Sequence, residues 1–255
     1  MRTFLRHPRL AGLMLSILLG LTARFVVSAQ QSQQRSLDST PDRMVLMDHH
    51  FSNVSVLHTA LIRGDLAAAL RPARELAVMS VPPAVPAAAI SHVEAIRAAA
   101  RRAANATAIG DAATAAATML QHCGECHRQV GVFPALREGG YETASNISAH
   151  MREHKRGLDQ MLYGLVVPSS QQWLEGARRL SQAELESDKL PSDRAMTKTI
   201  REGETRVHEI AERATRADDA ADRTRLYAEL VTTCASCHAL RKDWGPAPVP
   251  PGAGR

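Results

Sequence analysis

An internal duplication limits what this chain of 255 residues can fold into more than any other feature. Ala73-Arg74-Glu75-Leu76 aligns with Ala177-Arg178-Arg179-Leu180 at an offset of 104 residues. The same offset places Met47 on Met151, His50 on His154 and Leu61 on Leu165. Seven extra residues in the second copy then move the offset to 111. From there Arg102 falls on Arg213, Asp111 on Asp222, and Cys123-Gly124-Glu125-Cys126-His127 on Cys234-Ala235-Ser236-Cys237-His238. Two copies do not make a solenoid; they make a duplicated domain of roughly 95 to 105 residues.

Each copy reads as four helices. The first four are expected at 43–62, 64–80, 85–107 and 111–129, the second four at 145–166, 169–187, 193–217 and 219–240. Met47, His50, Val54, Leu57 and Leu61 recur at steps of three and four, which is one face of a helix. Alanine-rich stretches such as 84–117 favour helix and lack the alternating β-branched runs of strands. Gly64-Asp65, Ser80-Val81-Pro82-Pro83 and Pro168-Ser169-Ser170 punctuate the pattern, and Asp111 is the expected cap of the fourth helix. Short links between apolar-faced helices imply antiparallel neighbours. The expected fold class is therefore all-α, with two tandem antiparallel four-helix bundles, over 30–138 and 139–243. Gly131 to Tyr141 reads as the link between them, and 244–255 as a Pro/Gly-rich tail.

Residues 1–29 read as a cleaved signal peptide. Arg2, Arg6 and Arg9 precede an apolar run from Leu10 to Leu21, and Val27-Ser28-Ala29 offers small residues for cleavage. The run is short for a membrane span of ~20 residues, and Arg24 interrupts it. Without Arg2, Arg6, Arg9 and Arg24, the 31 Lys and Arg fall to 27, against 26 Asp and Glu. The net charge of +5 is thus no sign of nucleic-acid binding, and no basic block with interleaved aromatics supports one. The mature chain is expected in the periplasm, without a membrane span. Only 4% of residues are aromatic, so the core should be thin, and a bulky buried cofactor would help to fill it.

All four cysteines lie in the two Cys-x-x-Cys-His segments, the attachment sequence for c-type haem. On a helix, cysteines three apart share a face and can bond the two vinyl groups of one porphyrin. The adjacent histidine is then held beneath the ring, where its imidazole can bind iron. A zinc ribbon would set its pairs about 15–20 residues apart; here 107 residues separate Cys126 from Cys234. A thioredoxin-like pair would need a βαβ setting. Plain disulfides would not explain a histidine after both pairs. Two covalent haem c groups are expected, on Cys123 and Cys126 and on Cys234 and Cys237, with His127 and His238 on iron.

A bundle of this size with Cys-x-x-Cys-His in its last helix resembles the cytochrome c′ family, here in tandem over nearly all of the mature chain. That resemblance implies proximal ligation by His127 and His238 and a distal face turned toward the first helix of each copy. The family usually leaves the distal position open under an apolar residue, and this sequence departs from it. His50 and His154 stand at matching places on the first helices, each three residues after a methionine. The leading expectation is bis-histidine iron, His127 with His50 and His238 with His154. Ligation by Met47 and Met151, or an open position, stays as an alternative.

His49, His58, His92, His122, His150 and His208 have no histidine at the matching position and are expected on the surface. Arg102 and Arg213 do match, either as propionate partners or as solvated charges. Six-coordinate iron would make the chain an electron carrier between redox partner proteins, and no enzyme. An open or displaceable site would make it a binder of nitric oxide or carbon monoxide. A peroxidase-like role would want a distal acid-base residue, and the sequence offers no place for one. The resemblance implies dimerisation through the first helices; the alternative is that the tandem copies pack on each other.

Overall fold

The computed structural model describes residues 41–81, 85–134, 149–183 and 194–239. The signal-peptide reading, Pro82-Pro83, most of the link and the Pro/Gly-rich tail lie outside them. Every regular element among the described residues is a helix. They run α1 Pro41–Ile62, α2 Leu66–Ala77, α3 Ala87–Ala104, α4 Ile109–Val130, α5 Ala149–Val166, α6 Ser170–Ser181, α7 Arg194–Ala214 and α8 Ala220–His238. All eight expected helices have a counterpart in this order.

Local chemistry sets several of the ends. Asp65 caps α2 by accepting the Ala68 amide at 2.9 Å, and Asp219 caps α8 by accepting that of Asp222 at 2.7 Å. Ser169 does the same for α6 through the Gln172 amide at 3.2 Å. The expected cap of α4 is a correction. The residue at its N-terminus is Ala108, which makes no side-chain bond, and Asp111 lies within the first turn. Asp222 lies in the first turn of α8. Both carboxylates therefore complement the positive end of a helix dipole rather than closing a cap. α4 stops at Gly131, whose φ of +69° glycine adopts without strain.

The chain divides into units 1–45 and 46–255, and the packing that follows belongs to the second. α2 packs on α3, α3 on α4, α5 on α6, α6 on α7 and α7 on α8. The copies also pack on each other, because α4 lies against both α5 and α8. α4 and α8 run antiparallel: Gly110 faces Thr232, while the Thr224 hydroxyl donates to Gln121 Oε1 at 3.0 Å. Leu57 and Leu61 of α1 join Ala116 and Met119 of α4, Leu162 of α5 and Val231 of α8 around one small central void.

The two copies fill their interiors differently. In the first, alanines at 89, 99, 100, 103, 112, 113, 116 and 117 are buried, so α3 and α4 meet through small side chains. The second buries Trp173, Tyr227, Leu158, Met161 and Leu180. Each large apolar side chain so buried contributes about 1.5–3 kcal/mol. Trp173 also donates its indole N–H to the Ala214 carbonyl at 2.8 Å, so its one polar atom is satisfied. No described helix is long and apolar enough to cross a membrane.

Candidate metal centres

Both Cys-x-x-Cys-His segments occupy the C-terminal turns of long helices, α4 and α8. The segment of one copy packs against the turn between the first two helices of the other. Gly124 sits so close to the Leu165 carbonyl that a Cβ there would overlap the oxygen, with Pro168 Cδ at 3.3 Å. In the matching place, Ala235 abuts Gly64, whose φ is +70° and whose Cβ would stand 3.0 Å from the Ala235 oxygen. The small residue is on the helix in one copy and on the turn in the other.

All four cysteines are thiols. Burial pushes the Cys123 and Cys234 thiols up to about 12, with Cys126 and Cys237 beside them adding to it. Burial raises Cys126 as well. Reactive Cys-x-x-Cys pairs have lowered values and use helix N-termini to hold a thiolate; these thiols have the opposite environment.

His127 has one ring nitrogen tied to the backbone of α5. Its Nδ1 donates to the Val166 carbonyl at 2.7 Å, which fixes the tautomer and leaves the Nε2 lone pair for a metal. Burial lowers its proton affinity, partly offset by that bond, which favours the neutral ring that ligation requires. His50 is buried on α1, and its Nδ1 has no hydrogen-bond partner. Burial, with His49 adding to it, takes the His50 ring down to about 4. A buried imidazole with an unsatisfied nitrogen costs about 1–3 kcal/mol, a cost that a metal bond would remove. Met47 and Met151 are half-buried.

The second copy places its distal candidate differently. His154 is buried, and its Nε2 stands 3.2 Å from Glu204 Oε1 on α7, outside hydrogen-bond geometry. His150 Nε2 lies 3.1 Å from Glu204 Oε2, and the His150 and His154 ring centres are 4.2 Å apart. His208 Nε2 approaches the same carboxylate at 2.9 Å. Burial works to raise Glu204, but the hydrogen bond from His150 and the charge of His150 and His154 prevail and hold it at about 2. The carboxylate also raises the Cys234 thiol, so this cluster borders the attachment pair beside His238.

Compared with known protein families, with curated proteins and with solved structures, the chain matches none. The centres must be read from their own residues. Thiols three apart on one helix face, a histidine fixed for Nε2 ligation and a buried unsatisfied imidazole fit a c-type haem in the first copy. In the second, Cys234, Cys237 and His238 repeat the donor set.

Several single histidines require correction. His58 and His150 are buried rather than on the surface. His58 bridges the copies: its Nε2 meets Asp159 Oδ1 at 2.9 Å, and the Tyr227 hydroxyl meets its Nδ1 at 2.6 Å. His92, His122 and His208 are half-buried, each beside a carboxylate, whereas His49 is exposed as expected. Arg102 and Arg213 are exposed, and Arg213 pairs with Glu229 at 2.6 Å. Glu204 escaped sequence reading because His150 and His154 lie about 50 residues upstream on another helix, and its counterpart at position 93 is a valine.

Proposed function

We propose that this chain is a dihaem c-type cytochrome that carries electrons in the periplasm, each copy of the duplication acting as a four-helix haem unit. Cys123 and Cys126 would hold one porphyrin through thioethers, and Cys234 and Cys237 the other. His127 and His238 would be the proximal ligands, His50 and His154 the distal ones. When bound, an iron porphyrin supplies a one-electron ferric/ferrous couple. In the first copy the chain's own residues would attach it through Cys123 and Cys126 and fix the His127 imidazole through the Val166 carbonyl. The single observation that supports this reading is the Val166 carbonyl on His127 Nδ1, which leaves Nε2 for the metal beside two half-buried thiols.

Gas binding is a second reading for the second copy alone. The approach of Glu204 to His154 Nε2 competes with iron for that nitrogen, which favours a displaceable distal ligand there.

The test is an optical spectrum of the mature protein made with a working haem-maturation system. A pyridine haemochrome count of two per chain and a low-spin ferric spectrum are expected. His50→Ala and His154→Ala should each convert part of that signal to high spin. A colourless protein that fails a haem stain would overturn the proposal; rapid carbon monoxide binding by half of the haem would select the second reading for one centre.

A further inference from the structure

The first copy carries a cluster with no counterpart in the second. His92 on α3 and His122 and Glu125 on α4 bring three ligand atoms within 4.8 Å of one another. The positions that match them are Gly203, Thr233 and Ser236, so the duplicated segment cannot build the cluster twice. Glu125 Oε2 stands 2.9 Å from His122 Nδ1 and 3.4 Å from His92 Nδ1. In a tetrahedral site with metal–ligand bonds near 2.1 Å, neighbouring donors sit about 3.4 Å apart. Both spacings lie within about 0.5 Å of that figure, the shorter being a hydrogen bond between His122 and Glu125 in the metal-free chain.

The carboxylate is also braced from behind. Gln121 Nε2 donates to Glu125 Oε1 at 2.9 Å, and Gln121 Oε1 accepts from the Thr224 hydroxyl of α8 at 3.0 Å. One carboxylate oxygen is thus tied to the opposite helix, and the other is left facing both imidazoles. Outer residues that orient a ligating carboxylate in this way usually raise metal affinity. The three side chains are 25–28% exposed, enough for an ion to enter and for water to fill further positions.

We propose that His92, His122 and Glu125 form a site for one divalent transition-metal ion of zinc-like preference. Two imidazoles and one carboxylate suit such an ion, and the open side leaves room for water or an external ligand. The site does not depend on haem, because none of its donors is a cysteine or an expected iron ligand.

The test is calorimetric titration of the mature, haem-loaded protein with zinc chloride in a non-coordinating buffer, repeated with His92→Ala, His122→Ala, Gln121→Ala and His150→Ala. Circular dichroism and haem content serve as folding controls. One zinc per chain is expected, weakened at least tenfold by His92→Ala or His122→Ala and several-fold by Gln121→Ala. His150→Ala should leave it unchanged, since that residue belongs to the cluster around Glu204. Absence of zinc binding, or binding that survives both His92→Ala and His122→Ala in folded protein, would overturn the proposal. Haem loading is read separately, so failure here is distinct from failure of the cytochrome assignment.

Discussion

Replacing Gly124 by alanine sets local helix preference against tertiary packing. Gly124 lies inside α4, where alanine would favour the helix by about 1 kcal/mol. The added methyl would overlap the Leu165 carbonyl oxygen and stand 3.3 Å from both the Leu165 carbonyl carbon and Pro168 Cδ. These are backbone and ring atoms, which cannot swing aside as a long side chain would. Overpacking of this kind costs typically 1–3 kcal/mol and occasionally more. The displaced carbonyl belongs to the residue before Val166, so the 2.7 Å bond to His127 should weaken too, for about 1 kcal/mol. The net expectation is destabilisation by roughly 1–3 kcal/mol, or a fall in melting temperature of about 2–12 °C. Urea and thermal unfolding followed at 222 nm would measure it, with Ala235→Gly as the matched change in α8. That variant loses helix preference without relieving a clash and should cost about 1 kcal/mol. If Gly124→Ala proves as stable as the parent or more so, the close approach of α4 to the α5–α6 turn is wrong.

The other predictions concern the contact between the copies and buried His50. Burial tends to raise the Asp159 carboxyl, but the hydrogen bond and charge of His58, with Lys155, outweigh it and hold the group at about 2. A depressed carboxyl contributes stability that is present above its unfolded value and lost as pH falls toward 2; about 2 kcal/mol should disappear over that window in the parent and not in Asp159→Asn. Urea midpoints measured from pH 6 to pH 2 check this, and parallel curves would refute it. Tyr227→Phe removes the 2.6 Å contact to buried His58 and should cost about 1–3 kcal/mol in chemical denaturation. An unchanged midpoint would mean that the hydroxyl is not engaged. His50→Leu should leave stability of the haem-free chain equal or higher, because it removes an unsatisfied buried nitrogen while keeping the side-chain volume, and it should change the spin state of the loaded protein. Lower stability without haem would show that the ring has a partner of its own.

The eight helices and their order were legible because apolar spacing, alanine runs and Gly/Pro breaks are local signals, and the duplication supplied each twice. The paired Cys-x-x-Cys-His segments were equally plain, since residue type and spacing along one helix are local and the duplication repeats them. The histidines without a counterpart were misread for the complementary reason. His58 and His150 look like polar interruptions of a helix until Asp159, Tyr227 and Glu204 are brought to them from helices 54 to 169 residues away.

Sequence alone determined what is local and repeated: helix identity, the duplicated cysteine pairs and the matched His50 and His154. Only the tertiary structure decided that α4 and α8 pack against each other, that Gly124 and Gly64 alternate as the small partner, and that Glu204 sits beside His154. The physical reason is that a buried charge or imidazole is stable only against specific partners, and their approach depends on how helices cross rather than on spacing along any one of them.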